Sequence, residues 1–275
     1  MGIRQSHDLL TIEHLQAGWS PRRVGRRIIV LAETESTNTL ALAAAGEPDA
    51  DGLAIFAEAQ TAGRGRLGAT WVSPRGASIL CSVVLLERTL ENGEAASFKT
   101  SAWLTHVSAV AACDAVRQAA AITPAIKWPN DLRIGRKKVG GILIESRSVE
   151  SGTRAWVVGI GINCLQHAGH FPPELRETAT SLELATDQPA DRTAVARELL
   201  ITLDRRLSAE PWGQTEQAHR DWLMYAEPLG QQVRLRREGR TYSGRTVEVD
   251  PIGGLIVRLD GGAQEWFDPM RTQLL

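Results

Sequence analysis

The sequence predicts an α+β protein in two parts: a mixed β-sheet with helices packed on it over residues 28–228, then a small all-β domain over residues 229–275. Three observations carry this prediction. Apolar runs of strand length, such as Ala77–Leu86, occur beside Ala-rich and amphipathic stretches of helix length, which indicates helices on a sheet. Their order is not the regular β-α alternation of a doubly wound fold. Near Pro228–Gly230 the composition shifts to Val/Leu alternation broken by turn residues, the pattern of short antiparallel strands. A chain of 275 residues has room for one large domain and one small one.

The elements follow in order. Residues 1–27 are polar and Arg-rich, end in SPRRVGRR, and read as a lead-in segment. A DNA-reading winged helix needs about twice that length with helical periodicity, so no DNA partner is expected. Ile28–Glu33 reads as a strand, followed by TESTN and a helix, TLALAAAG, capped by Thr37 or Asn38 and ended by Gly46. Gly52–Gln60 is a second strand and leads into QTAGRGRLGATW. Ala77–Leu86 is apolar throughout, as a strand buried on both faces must be. Glu94 to about Ala120, carrying Phe98, Leu104, Val107 and Val116, is one long helix. Short strands follow at 125–129, 139–146 and 155–163, then amphipathic helices at about 190–208 and 214–226. Four or five short strands, turning at REGR, DPIGG and DGG, close the chain as a small barrel.

Composition narrows the function. With 43% hydrophobic and 23% charged residues, a net charge of -1 and a pI near 6.6, the chain is no general binder of nucleic acid or membrane surfaces. No apolar run approaches the ~20 residues of a membrane span, and MGIRQSHDLL has no signal-peptide core. The Met-Gly-x-x-x-Ser acylation pattern at the N-terminus is too loose to be read as a signal. Cys81, Cys113 and Cys164 are scattered and odd in number, which supports neither disulfides nor a zinc site and suits a cytoplasmic setting. Only Lys99, Lys127, Lys137 and Lys138 are lysines, so a lysine in an apolar setting calls for a reason.

Three segments could carry chemistry. In Gly63–Gly68, GRGRLG, glycines expose backbone N–H groups and arginines add charge suited to phosphate. It is neither a P-loop nor a dinucleotide fingerprint, and alone it reads equally as a solvated loop. In KWPND, Lys127 closes a short strand whose exit Trp128 and Pro129 stiffen; it is either a positioned cation or a surface lysine with a buried stem, and Asn130 and Asp131 can form an Asx turn. Gly140, Gly141, Gly159 and Gly161 interrupt strands, which fits either tight packing or a flat ligand lying on the sheet.

Taken together and in order, ESTN, QTAGRGRLGATW, KWPNDL, KKVGGILIE, VVGIGIN and TSL make the chain resemble a biotin protein ligase from about Ile28 to the C-terminus. The resemblance implies a class II aminoacyl-tRNA-synthetase-like catalytic domain and an SH3-like C-terminal domain. It implies that biotin and ATP, with Mg²⁺, form biotinyl-5′-AMP, from which a lysine of a biotin carboxyl carrier protein takes the biotin. Lys127 and Arg66 would be catalytic. Ser36, Thr37, Asn38, Gln60, Arg64, Gly65, Arg66, Lys127 and Gly141 would bind biotin. Gly63, Arg64, Arg66, Trp71, Asn130, Gly161 and Asn163 would bind ATP and the adenylate. No metal ligand and no general base can be named. Leu67 stands where many members carry a basic residue, so this lid departs from the common pattern. Relatives without a DNA-binding domain include monomers and dimers, so a homodimer is one implied state. The rival readings are a lipoate–protein ligase and a non-catalytic biotin-binding regulator; a biotin carrier is excluded because no Met-Lys pair occurs.

Overall fold

A computed structural model of the chain describes residues 9–88, 94–149, 152–208, 215–250 and 254–275. The acylation pattern, residues 251–253 of the DPIGG turn and residue 214 lie outside them. The helices are α1 (Ile12–Gln16), α2 (Thr37–Ala44), α3 (Glu94–Ala120), α4 (Leu182–Thr186), α5 (Arg192–Leu207) and α6 (Thr215–Tyr225). The strands are β1 (Ile28–Leu31), β2 (Ala54–Ala57), β3 (Ser78–Arg88), β4 (Ala125–Lys127), β5 (Asp131–Ile134), β6 (Lys137–Ser148), β7 (Thr153–Asn163), β8 (Gln232–Arg237), β9 (Arg240–Val249), β10 (Leu255–Leu259), β11 (Gln264–Phe267) and β12 (Thr272–Leu274). Seven strands form one sheet in the order β1-β2-β3-β7-β6-β5-β4, with β1 and β2 parallel and the other pairs antiparallel. The last five form a separate antiparallel sheet in the order β11-β10-β9-β8-β12.

The central strands are apolar throughout because both faces are covered. Ile79, Cys81, Val83 and Leu85 of β3 and Trp156, Val158, Ile160 and Ile162 of β7 join the core that α3 and α5 complete. Val84 of β3 and Ala155 and Val157 of β7 point the other way, into a smaller cluster with Ala41 and Ala44 of α2. No helix among the described residues is long and apolar enough to cross a membrane.

Two expectations are corrected. Ser36, not Thr37 or Asn38, precedes the first turn of α2, and it makes no side-chain cap. The Asx turn expected at Asn130–Asp131 gives way to a strand, since Asp131–Ile134 pairs with both β4 and β6. The segment before β1 is stitched to the large sheet. Leu15 of α1 is fully buried. The backbone N–H groups of Arg22, Arg23 and Val24 donate to the Asp204 carboxylate of α5 at 2.9, 2.7 and 2.9 Å. Leu10 N–H donates to Glu58 at 2.8 Å, and Glu58 also meets the fully buried Arg192 of α5 at 2.8 Å.

That buried pair makes a stability prediction. Arg192→Met strands the Glu58 charge and should cost on the order of 3–5 kcal/mol, whereas adding Glu58→Met should recover part of the loss. Urea unfolding of the two variants measures it, and an unchanged midpoint for Arg192→Met contradicts it.

Candidate functional site

The site lies on the α2 face of the large sheet, where that face stops being apolar. Along β7 the residues facing α2 run Ala155, Val157, Gly159, Gly161, so bulk ends where α2 begins. Each glycine is filled by a neighbour. A Cβ at Gly159 would clash with the Asn38 carboxamide, whose Cγ would lie 2.8 Å away, and one at Gly161 would lie 2.6 Å from the Trp71 ring. Gly141 of β6 is the register partner of Gly161 and widens the same bare patch.

Above this floor, Gly63–Trp71 folds back as a hairpin. Trp71 N–H donates to Gly63 O at 2.9 Å, Gly65 N–H donates to Ala69 O at 2.7 Å, and Leu67 and Gly68 turn the tip with φ of 52° and 78°. The hairpin separates two cavities. The inner one, about 410 Å³, lies between hairpin, sheet floor and the β12 residues Thr272–Leu274. The outer one, about 780 Å³, lies between hairpin, the Ser101–His106 turns of α3, and Pro269 and Met270.

Ser36, Thr37, Asn38, Gln60, Arg64, Gly65, Arg66, Trp71, Lys127, Asn130, Gly141 and Gly161 all line the inner cavity. Gly63 lines only the outer one. Asn163 lines neither; as the last residue of β7 it is buried, donating to Thr180 O at 3.0 Å and accepting from Gln166 at 2.8 Å. Sequence reasoning missed Lys138 and Asp131, which also line the inner cavity and pair at 2.6 Å. The scarcity of lysines was the available signal for Lys138. The register shift between Leu132 and Arg133, which helps aim it, is not readable from residue types.

The polar groups form a chain. Gln60 Oε1 accepts from the Thr37 N–H and hydroxyl at 2.8 and 3.0 Å, leaving Nε2 without a partner among the described residues. Buried Ser82 donates to Asn38 Oδ1 at 2.5 Å, and Asn38 Nδ2 donates to Glu145 at 2.7 Å. Arg64 completes the chain by donating to both Glu145 oxygens, at 3.2 and 2.9 Å, and to Thr39 at 2.5 Å. Arg66 donates to Asn130 Oδ1 at 2.8 Å and to Pro269 O, while Asn130 Nδ2 donates to Ile142 O at 2.7 Å. Asn130 is therefore a strut for Arg66.

The charges do not cancel. Burial lowers the pKa of Arg66, opposed by Asp131 and Asp268. Burial likewise lowers that of Lys127, helped by Arg133 and opposed by Asp131 and Glu227. With Asp131 matched by Lys138, the inner cavity presents an excess of Arg66 and Lys127 and is built for an anion. The buried Trp71 Nε1 has no partner among the described residues and is a donor awaiting an acceptor.

Comparison with known proteins gives a consistent picture. The model of the biotin/lipoate A/B protein ligase family matches residues 30–163, and that of the biotin protein ligase C terminal domain matches residues 229–268. A bifunctional ligase/repressor of Bacillus spizizenii is 31% identical over 94% of this chain and 77% of its own length. A biotin–[acetyl-CoA-carboxylase] ligase of Mycobacterium tuberculosis is 32% identical over 89% of this chain and 86% of its own. The solved biotin protein ligase of Aquifex aeolicus, in complex with biotin and ATP, superposes with a TM-score of 0.74 at 26% identity, covering 91% of this chain and 99% of that one. The small sheet is accordingly SH3-like.

Two outcomes follow from the geometry. Gly161→Val pushes the Trp71 ring off the floor and should shift its tryptophan emission; an unchanged emission spectrum refutes it. Because its pKa is lowered, Lys127 is charged below that value and neutral above it, so affinity for an anion such as pyrophosphate should decline on the alkaline side below the ordinary lysine value of 10.5. Lys127→Arg should move that decline upward; a pH series of dissociation constants decides.

Proposed function

The chain belongs to the biotin protein ligase family, and we propose that the inner cavity is where it carries out both steps of that family's reaction. The protein is an ATP-dependent ligase that joins biotin to a lysine of a biotin carboxyl carrier protein through biotinyl-5′-AMP. The observation that supports the site assignment best is a cation-rich cavity against a glycine-bearing stretch of sheet on which Asn38 and Trp71 are seated.

In the first step the biotin carboxylate attacks the α-phosphorus of ATP, and mutual repulsion is the main obstacle. Arg66, Lys127 and Lys138 are the cations that would neutralise it. The ureido ring is polar and buried, so it needs paired partners; Gln60 Nε2, Ser36, Thr37 and Asn38 are the groups proposed. The adenine side is assigned to Trp71, whose free Nε1–H suits a ring nitrogen or phosphate oxygen, and to Gly161. Mg²⁺ would arrive on the phosphates and screen their charge, and Asp131 is the inner-cavity carboxylate able to hold it. The hairpin would shield the mixed anhydride from water until the carrier amine displaces AMP. Residues 28–228 are proposed as the catalytic unit and 229–275 as a support that reaches the site through Pro269 and Thr272–Leu274. Lipoate is disfavoured because relatives of 32% and 34% identity are named biotin–[acetyl-CoA-carboxylase] ligases.

ATP–pyrophosphate exchange tests this reading, with biotin and lipoate assayed separately in the presence of Mg²⁺. Exchange with biotin alone is expected. Exchange with neither, from folded protein, leaves a binding site without the chemistry.

A further inference from the structure

Glu145 stands where the sheet calls for an apolar residue. On the face that meets α2, the row one step beyond Gly159 and Leu143 runs Val84, Val157, Glu145 across β3, β7 and β6. Both valines are fully buried in the cluster with α2, and the Glu145 side chain is 28% exposed. A carboxylate in that company costs desolvation, which the Arg64 guanidinium offsets from 2.9 Å. Its other partner is Asn38, a buried residue whose carboxamide lies over Gly159 with oxygen, carbon and nitrogen all within 2.8 Å of the place a Cβ would take. A half-turn about the Asn38 Cβ–Cγ bond keeps that fit and exchanges the donor edge of the amide for its acceptor edge. Ser82 does not choose between the two, because a hydroxyl donates or accepts, and it also lies 2.7 Å from the Thr37 hydroxyl. Glu145 does choose. A carboxylate only accepts, so Asn38 turns Nδ2 to it, at 2.7 Å, and Oδ1 to Ser82. The anion also strengthens the second N–H of the same amide as a donor. Gln60 reaches the same state by another route, since the Thr37 backbone N–H occupies its Oε1 and turns Nε2 outward.

We propose that Glu145 is a positioning residue for ligand choice: it fixes Asn38 as a donor, so that the inner cavity takes a ring presenting a carbonyl oxygen and rejects one presenting an N–H in its place. This rests on the ligase reading above, in which Asn38 faces the ureido ring of biotin. Glu145 itself lines the outer cavity and acts only through Asn38, which lines the inner one. Iminobiotin differs from biotin at the decisive atom. Its ureido carbonyl is replaced by an imino nitrogen that is protonated at neutral pH and carries only donors. Against Asn38 held by Glu145, donor meets donor, and both are left unpaired on burial.

Glu145→Gln keeps the shape of the side chain and removes only its inability to donate, since a glutamine amide can turn either edge to Asn38. Dissociation constants for biotin and for iminobiotin are measured by calorimetry, beside kcat and KM in biotin-dependent ATP–pyrophosphate exchange. In Glu145→Gln the KM for biotin should rise about tenfold with kcat within about twofold, and the preference for biotin over iminobiotin should fall by about tenfold or more. Glu145→Asp keeps an acceptor-only group and should retain the preference. Arg64→Met removes the ion pair but leaves Asn38 oriented, so the preference should again be retained. An unchanged preference in Glu145→Gln overturns the assignment. So does an equal loss for both ligands with circular dichroism unchanged, which is what a merely structural acid would give. Failure of the unsubstituted protein to bind biotin and to exchange would instead sink the ligase reading on which the assignment rests.

Discussion

Everything at this site depends on a stretch of sheet with no side chains. A seven-stranded sheet buried on both faces would normally be paved with Val, Ile and Leu, and that is what β3 and β7 provide wherever helices cover them. At Gly159, Gly161 and Gly141 the paving stops, at some cost in strand stability, since glycine neither packs nor restricts the unfolded chain. The cost is offset by what lies down on the bare backbone. Asn38 seats over Gly159 and Trp71 over Gly161, so the start of α2 and the end of the hairpin are both referenced to β7. A methyl group at either position would lift one of them and with it the groups it aligns.

The polar chain extends that reference outward. Ser82, on the same face of β3, holds Asn38; Asn38 holds Glu145 on β6; Glu145 holds Arg64 on the hairpin. Four segments far apart in sequence are thus tied by hydrogen bonds shielded in part from water, where each bond is stronger and each orphan more costly. The hairpin has a second anchor in Arg66, which reaches Asn130 on one side and the backbone of Pro269, in the turn between β11 and β12, on the other. The opposing term is local. Leu67 sits at the exposed tip with φ of 52°, a conformation that costs a non-glycine residue roughly 1–2 kcal/mol. Hydrogen bonds to a charged group contribute about 1.5–3 kcal/mol each, so Arg66 alone outweighs the strained tip.

Much of this was legible in the sequence, for a physical reason. Ser36–Asn38, Gln60, Arg64–Trp71 and Gly141 reach the inner cavity from the segments in which their motifs stand, where glycine and polar residues interrupt apolar strands. What could not be read depends on contacts across the fold. Asp131–Ile134 is too short and polar to read as a strand until β4 and β6 flank it. Lys127 and Lys138 look alike as residues, and only register and the shift at Leu132 show that both face the cavity. Asn163 looks like a ligand contact by its place after Gly161, yet the chain turns away there and its amide serves Thr180 and Gln166. The N-terminal stretch reads as a loose lead because its partners, Asp204 and Glu58, lie far off in sequence.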